Sequence, residues 1–228
     1  MGGELGGSAT AAQRFQVVGC DKLPFKPKLR IDLRGGTERG DYQRLTATLA
    51  ARAGDANLRR ASVALPHSAF LAQEHIRTIC TRVQFAAHQC PKGSIYGKAK
   101  AITPLLEEPL EGPVYLRSSD HPLPDLVVAL RGPDRLPVEI EAAGRTDSVH
   151  GGIRNTFDLL PDAPVTKFTL ELKGGRKSLI VNSRDVCAAK QRATVRMEGQ
   201  NGKPRGFRPV VRYGCKKGSG GKHKGGKR

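Results

Sequence analysis

The chain has 228 residues; 38% are hydrophobic, none is Trp, 27 are Gly and 15 are Pro. That composition suits many short strands and tight turns rather than long helices, and no stretch approaches the roughly 18 apolar residues of a membrane-spanning helix. A formal net charge of +18 points to a polyanionic neighbour such as nucleic acid, an acidic wall polymer or an anionic membrane face, against the plainer reading of a solvated basic surface.

Residues 1–12 are Gly-rich and read as disordered. Met1 to Ser8 lacks the basic start and apolar core of a signal peptide. It reads as the front of an excised fragment, so an export signal of the full protein would lie out of view. Phe15, Val17 and Cys20 are expected to start the fold. From Lys28 to Arg34, Leu29, Ile31 and Leu33 alternate with charged residues, and Leu45, Ala47 and Leu49 alternate again. A third run from Leu58 leads into Pro66. Period-two alternation between polar turns predicts strands.

Between residues 68 and 89 the period changes. Ser68 to Glu74 reads as a short helical turn, and Thr81 to His88 as a helix with a capping Thr. Ser94 to Thr103 returns to a strand with small residues on one face. Residues 104–113, with Pro104, Pro109 and Pro113, read as a stiff linker that cannot pair in a ladder. Further strands are expected at 114–117, 125–131, 138–143, 153–159, 165–173, 178–182, 193–198 and 207–212. Two alternating runs around residues 144–157 form a hairpin, and Gln200-Asn201-Gly202-Lys203 a second, tighter one. Spacing of about ten residues marks a sandwich or barrel. The expectation is a mainly β chain of two β-sandwich-like lobes, 13–103 and 114–215, with one or two short helices between residues 68 and 89. Residues 216–228 form a disordered basic tail.

Five cysteines are scattered without a CxxC pair, against the common zinc and thioredoxin spacings. In a turn-rich β chain this favours disulfides and an oxidising compartment. Cys80 and Cys90 bracket the short helix. A straight helix would hold their Cα atoms about 15 Å apart, and a disulfide tolerates about 7 Å. Pairing, which is expected, therefore needs a short helix whose flanks fold back. Cys187 and Cys215 flank the last hairpin and are expected to staple it, at a gain of roughly 3 kcal/mol. The odd cysteine is free or joins another chain.

Several phrases in order, among them Cys90-Pro91-Lys92-Gly93-Ser94-Ile95-Tyr96-Gly97, Gly112-Pro113-Val114-Tyr115-Leu116, Pro161-Asp162-Ala163-Pro164-Val165 and Gly199-Gln200-Asn201-Gly202-Lys203, resemble an uncharacterised group of large secreted proteins of high-GC actinobacteria. The resemblance spans about residues 15–215. It implies an exported, disulfide-containing surface module that follows other extracellular β domains, and it carries no catalytic residues.

Asp147, Ser148 and His150 are the residue types of a hydrolase triad, but they share one turn and no Gly-x-Ser-x-Gly elbow is present. A structural role in the hairpin is expected. His75, Cys80, His88 and Cys90 match no usual zinc spacing. The acid pairs Glu107/Glu108 and Glu139/Glu141 read as solvated rather than as a glycosidase couple. No catalytic, cofactor or metal residue is assigned. Lys216, Lys217, Lys222, Lys224, Lys227 and Arg228 in the tail can grip phosphates by counterion release, with no aromatic for base stacking. The expectation is a non-enzymatic extracellular or cell-surface module, one part of a larger surface protein, whose tail contacts anionic envelope polymers or a membrane surface. The alternative is a basic cytoplasmic protein that binds nucleic-acid phosphates without reading sequence.

Overall fold

A computed structural model describes residues 18–135, 137–149 and 152–215. The stretches expected to be disordered, 1–12 and 216–228, lie outside the described residues. The chain is mainly β: β1 (Lys28–Arg34), β2 (Tyr42–Ala50), β3 (Leu58–Ala64), β4 (Ala69–Leu71), β5 (Ile95–Ile102), β6 (Leu110–Arg117), β7 (Asp125–Arg131), β8 (Glu139–Val149), β9 (Gly152–Phe157), β10 (Lys167–Leu172), β11 (Ile180–Asn182), β12 (Thr194–Gly199) and β13 (Pro204–Phe207). The α-helix, α1 (Arg82–Ala86), is capped as expected: the Thr81 side chain accepts from the Gln84 N–H, and the Gln84 side chain accepts from the Thr81 N–H.

All strands belong to one antiparallel sheet in the order β13-β12-β3-β9-β8-β7-β6-β5-β10-β2-β11-β4, with β1 on the far edge of β2. The two sandwich-like lobes expected from the sequence thus share a single sheet. β10 inserts between β2 and β5, and β3 between β9 and β12. Alternation marks each strand but says nothing about which distant strand it will meet. The expected linker is a short connection, and its last residues, Leu110 to Pro113, belong to β6. Pro113 is tolerated because it lies at a break: β6 pairs with β7 at Glu111↔Arg131, and the ladder resumes at Val114↔Val128. The helical turn expected at 68–74 is instead β4, paired with β11, followed by a 3-10 turn at Gln73–His75. An unfilled ladder edge outweighs a weak helical preference in so short a stretch. The last strand ends at Phe207, short of the expected 207–212, because Pro209 has no N–H to continue the ladder.

Beyond that proline the chain closes the sheet. Val211 N–H donates to the Gln191 carbonyl (2.9 Å) and Ala193 N–H to the Pro209 carbonyl (3.1 Å). Leu33 N–H in turn donates to the Arg212 carbonyl (2.8 Å), and Arg212 N–H to the Ile31 carbonyl (2.9 Å). Residues 209–212 therefore bridge β1 to the segment leading into β12, and the bonded path forms a ring. A closed ring leaves no long edge for another chain to pair with.

The alternation read from the sequence now acquires an inside and an outside. Ile31, Leu33, Leu45, Leu126, Val128 and Leu172 belong to the inner core. On the outer face, like-numbered rows carry compensating charges: Lys98 meets Glu171 (3.5 Å), Lys100 meets Glu111 (2.5 Å) and Arg131 meets Glu139 (3.1 Å), each pair across neighbouring strands. A lipid-facing barrel needs an apolar outer band, so this alternation runs the opposite way. No helix among the described residues is long and apolar enough to cross a membrane.

A second small core lies outside β6 and β7. Val127 and Ala129 face away from the ring and pack with Phe85 of α1, Tyr115 and the Cys80–Cys90 pair. Phe85 meets Tyr115 edge-on at 5.8 Å, and the Arg117 guanidinium sits over the Phe85 ring.

Candidate functional site

The antiparallel registers gather the connections 51–57, 103–109 and 158–166 at one end of the ring and 35–41, 118–124 and 173–179 at the other. The second end is filled. Leu33, Val114, Leu116, Leu179, Ile180 and Val211 are all at most 6% exposed. Ser178, fully buried, ties this floor together: its hydroxyl shares its one proton between the Gln43 and Ile180 carbonyls (2.6 and 2.7 Å) while accepting from the Ile180 N–H (3.0 Å).

The first end is hollow. Leu29, Ala47, Val63, Ile140, Phe157 and Leu170 occupy inward positions, yet each is only half-buried, because they line a chamber of about 610 Å³. The only charged groups lining the chamber, among the described residues, are Arg52 and Asp55 at its rim. They pair with each other at 2.8 Å, and the Arg52 guanidinium holds the Asp55 carboxyl below the usual carboxylate range. Deeper in, Asn155 donates to the Gly144 carbonyl (3.2 Å) and to Thr146 Oγ1 (3.0 Å), which turns its amide hydrogens toward the wall.

Residues 158–166 form a strap over this mouth. They leave β9 and enter β10, which stands on the opposite side of the ring. Leu160, Pro161, Ala163 and Val165 line the chamber from above. The strap is tied at both ends: Leu160 N–H donates to the Arg59 carbonyl (2.9 Å), Asn57 Nδ2 to Asp162 Oδ1 (2.8 Å), and Thr166 N–H to the Ile102 carbonyl (2.9 Å). Leu105, in a neighbouring rim connection, lines the chamber and is 68% exposed.

The filled end has a different character. Arg34 and Arg44 stand directly opposite each other on β1 and β2, both exposed. Lys173 follows Leu172, which pairs with Leu45, so it extends the same row onto the neighbouring strand. Among the described residues none of the three has an acidic partner within an ion-pair distance. Partial burial, and then the Lys177 ammonium nearby, hold the Lys173 amine below the ordinary lysine value. Lys173 Nζ donates to the Ile95 carbonyl (2.9 Å) and Lys177 Nζ to the Gly93 carbonyl (3.2 Å), which keeps both cations at this end.

Both expected disulfides are formed. Cys80 and Cys90 have their Cα atoms 5.2 Å apart, Cys187 and Cys215 5.7 Å. The first is possible for the reason the spacing required: α1 is five residues long, and His88, at φ 54, turns the chain back toward Cys90. Bonding to each other removes both thiolates from the set His75, Cys80, His88 and Cys90. Cys20 is exposed and unbonded. Gly214, next to Cys215, lies against Arg34, so the last described residues stand beside the cationic row. Lys216, Lys217, Lys222, Lys224, Lys227 and Arg228 themselves lie outside the described residues, as does His150.

Asp147 is not poised beside a nucleophile. It receives the Arg154 guanidinium at Nε (2.8 Å) and Nη2 (2.5 Å) across the β8–β9 hairpin, and this holds its carboxyl below the usual range. That is a side-chain pairing across the two strands, in keeping with the structural role in the hairpin expected for this stretch. Glu108 is engaged by Arg135, and Glu139 by Arg131.

Two features escaped the sequence. Arg34 and Arg44 are ten residues apart, and Lys173 more than a hundred further on, so only the β10–β2 pairing makes them a row. The chamber had a faint signal, small residues such as Ala47, Ala99, Ala101 and Ala142 at inward positions where a filled ring would carry larger ones.

Together these define an antiparallel β-barrel with a charged exterior, a filled end and a strapped apolar chamber. No protein-family model matches the chain, and neither the curated proteins nor the solved structures contain a significant match to it.

Proposed function

We propose that this barrel is a non-enzymatic module of an extracellular or cell-surface protein, held against anionic polymers of the envelope by its filled end and basic tail. The observation that carries the reading is the Arg34–Arg44–Lys173 row. Like charges directly opposite on neighbouring strands destabilise a sheet, whereas Lys98 and Lys100 on β5 each meet an acid on the adjoining strand, so an uncompensated row is what a polyanion-binding surface requires. The tail begins at the same end and adds six cations without an acid. Two disulfides support an oxidising compartment. Asp147, Glu108 and Glu139 each pair with an arginine, which supports a structural rather than a catalytic use. Other domains of a larger surface protein would supply the rest of its architecture.

The test is binding of long-chain polyphosphate, and separately of phosphatidylglycerol vesicles, as a function of salt. Removing the three cations (Arg34→Ala, Arg44→Ala, Lys173→Ala) is expected to lower the slope of log affinity against log salt by about one for each phosphate no longer neutralised, and deletion of residues 216–228 to lower it further. Affinity and slope unchanged in both variants would refute the reading. Tighter binding of duplex DNA than of either envelope mimic, by protein whose cysteines are reduced in its host, would favour the nucleic-acid alternative.

A further inference from the structure

We propose that the chamber holds the aliphatic tail of a single lipid chain of about 16 to 18 carbons, inserted tail-first beneath the strap with its polar head at the rim. This goes beyond the polyanion reading and is independent of it, since the chamber and the cationic row occupy opposite ends of the ring.

Size comes first. A dry cavity of ~150 Å³ accepts one benzene, so about 610 Å³ offers room for roughly twenty carbons at similar packing. Chemistry agrees. Below the rim the walls are Leu, Ile, Val, Ala, Met and Phe apart from Thr146 and Asn155, which bond each other and leave Asn155 Oδ1 as a single buried acceptor without a partner among the described residues. A charged or richly hydroxylated ligand would lose its hydration there without compensation, whereas a polymethylene chain loses none. Charged groups, among the described residues, line it only at the mouth, where Arg52 and Asp55 are joined by Asn57, Thr103 and Thr166. They divide the site into a dry shaft and a wet collar, the division that an amphiphile has. The inward side chains also remain half-buried although they belong to the core, so the fold leaves their surface for something else to cover. Leu105, exposed at the lip, gives an entering chain an apolar first contact.

The experiment uses the full chain with both disulfides intact. Fluorescence titration with cis-parinaric acid, an 18-carbon probe, is expected to saturate at one per chain. Hexadecanoate is expected to displace it, and octanoate to be at least about a hundredfold weaker, because each methylene removed from the shaft forfeits burial. Ala47→Phe and Ala142→Phe, which fill the shaft from opposite walls, are expected to weaken binding at least tenfold while circular dichroism is unchanged. Leu105→Asp, at a position exposed enough to spare the fold, is expected to weaken fatty-acid binding as well. In a second arm, donor vesicles carry labelled phosphatidylglycerol. Uptake of one labelled lipid per chain identifies the tail as that of a membrane phospholipid; uptake of the free acid alone identifies a fatty acid. No saturable binding by the folded wild-type chain would overturn the proposal. So would binding that all three variants leave unchanged, or binding that appears only after residues 1–17 are deleted, which would make the chain itself the occupant.

Discussion

Arg34 and Arg44 face each other across β1 and β2 with no acid between them, in a sheet that elsewhere sets Lys98 against Glu171 and Lys100 against Glu111. The contrast lies within one surface and one period of alternation. It separates a charge pattern that stabilises the ring from one that burdens it.

Replacing Arg34 with Glu tests that separation in two directions at once. The variant places a carboxylate opposite Arg44, so thermal stability is expected to rise by a few tenths to about 1 kcal/mol. Polyphosphate binding is expected to weaken and its salt slope to fall by about two, one cation being removed and another neutralised. A lower melting temperature with unchanged binding would contradict this account of the row.

The two disulfides are expected to differ in worth. Cys80–Cys90 closes a loop of 10 residues and Cys187–Cys215 one of 28. On the loop-entropy view, converting the second pair to Ala is expected to cost about 1 kcal/mol more than converting the first. Denaturant unfolding of the double variants Cys80→Ala/Cys90→Ala and Cys187→Ala/Cys215→Ala gives the comparison. A larger loss from the shorter loop would mean that packing against Val127 and Phe85, rather than loop closure, sets the value of the first pair.

Asp147 and Arg154 give the β8–β9 hairpin a pH dependence. Arg154 holds the Asp147 carboxyl below its ordinary value, so its stabilisation is fully present above the unfolded carboxylate range. It is lost as pH falls through the lower, folded value. With Arg154 partly in solvent, Asp147→Asn is expected to cost about 1 kcal/mol at pH 7 and progressively less in acid, as the carboxyl becomes protonated in the folded state as well. Urea unfolding at pH 7 and in acid measures both gaps. Equal gaps would show that the ion pair is not the source.

Much of the wall was legible because alternation is a local property. Lys28 to Arg34, Asp125 to Arg131, the hairpin around residue 150, the Thr81 cap and both cysteine pairs were all open to period, turn chemistry or chain reach. What was not legible depends on long-range pairing. β10 lies between β2 and β5, and residues 209–212 close on β1. Those two facts turn two expected lobes into one ring. They also create the chamber, the strap and the cationic row, none of which exists in any single segment. The misplaced helical turn at 68–74 has the same origin, since β4 takes its shape from the edge of β11.

Tyr96 offers a test of the filled end. Its ring is 1% exposed, and its hydroxyl accepts from the Arg77 N–H (3.1 Å) while donating to the His75 carbonyl (3.0 Å). Tyr96→Phe leaves both backbone groups short of a partner and is expected to cost about 1 to 3 kcal/mol. A calorimetric loss below half that range would indicate that water replaces the phenol and that this end is less tightly filled than described.

The claim that this barrel works outside the cell is tested most directly by peptide mapping of its cysteines, by mass spectrometry, in protein recovered from its own host without reductant. Cys80 joined to Cys90 and Cys187 joined to Cys215 are expected in the exported or envelope fraction. Five free thiols in protein confined to the cytoplasm would contradict it.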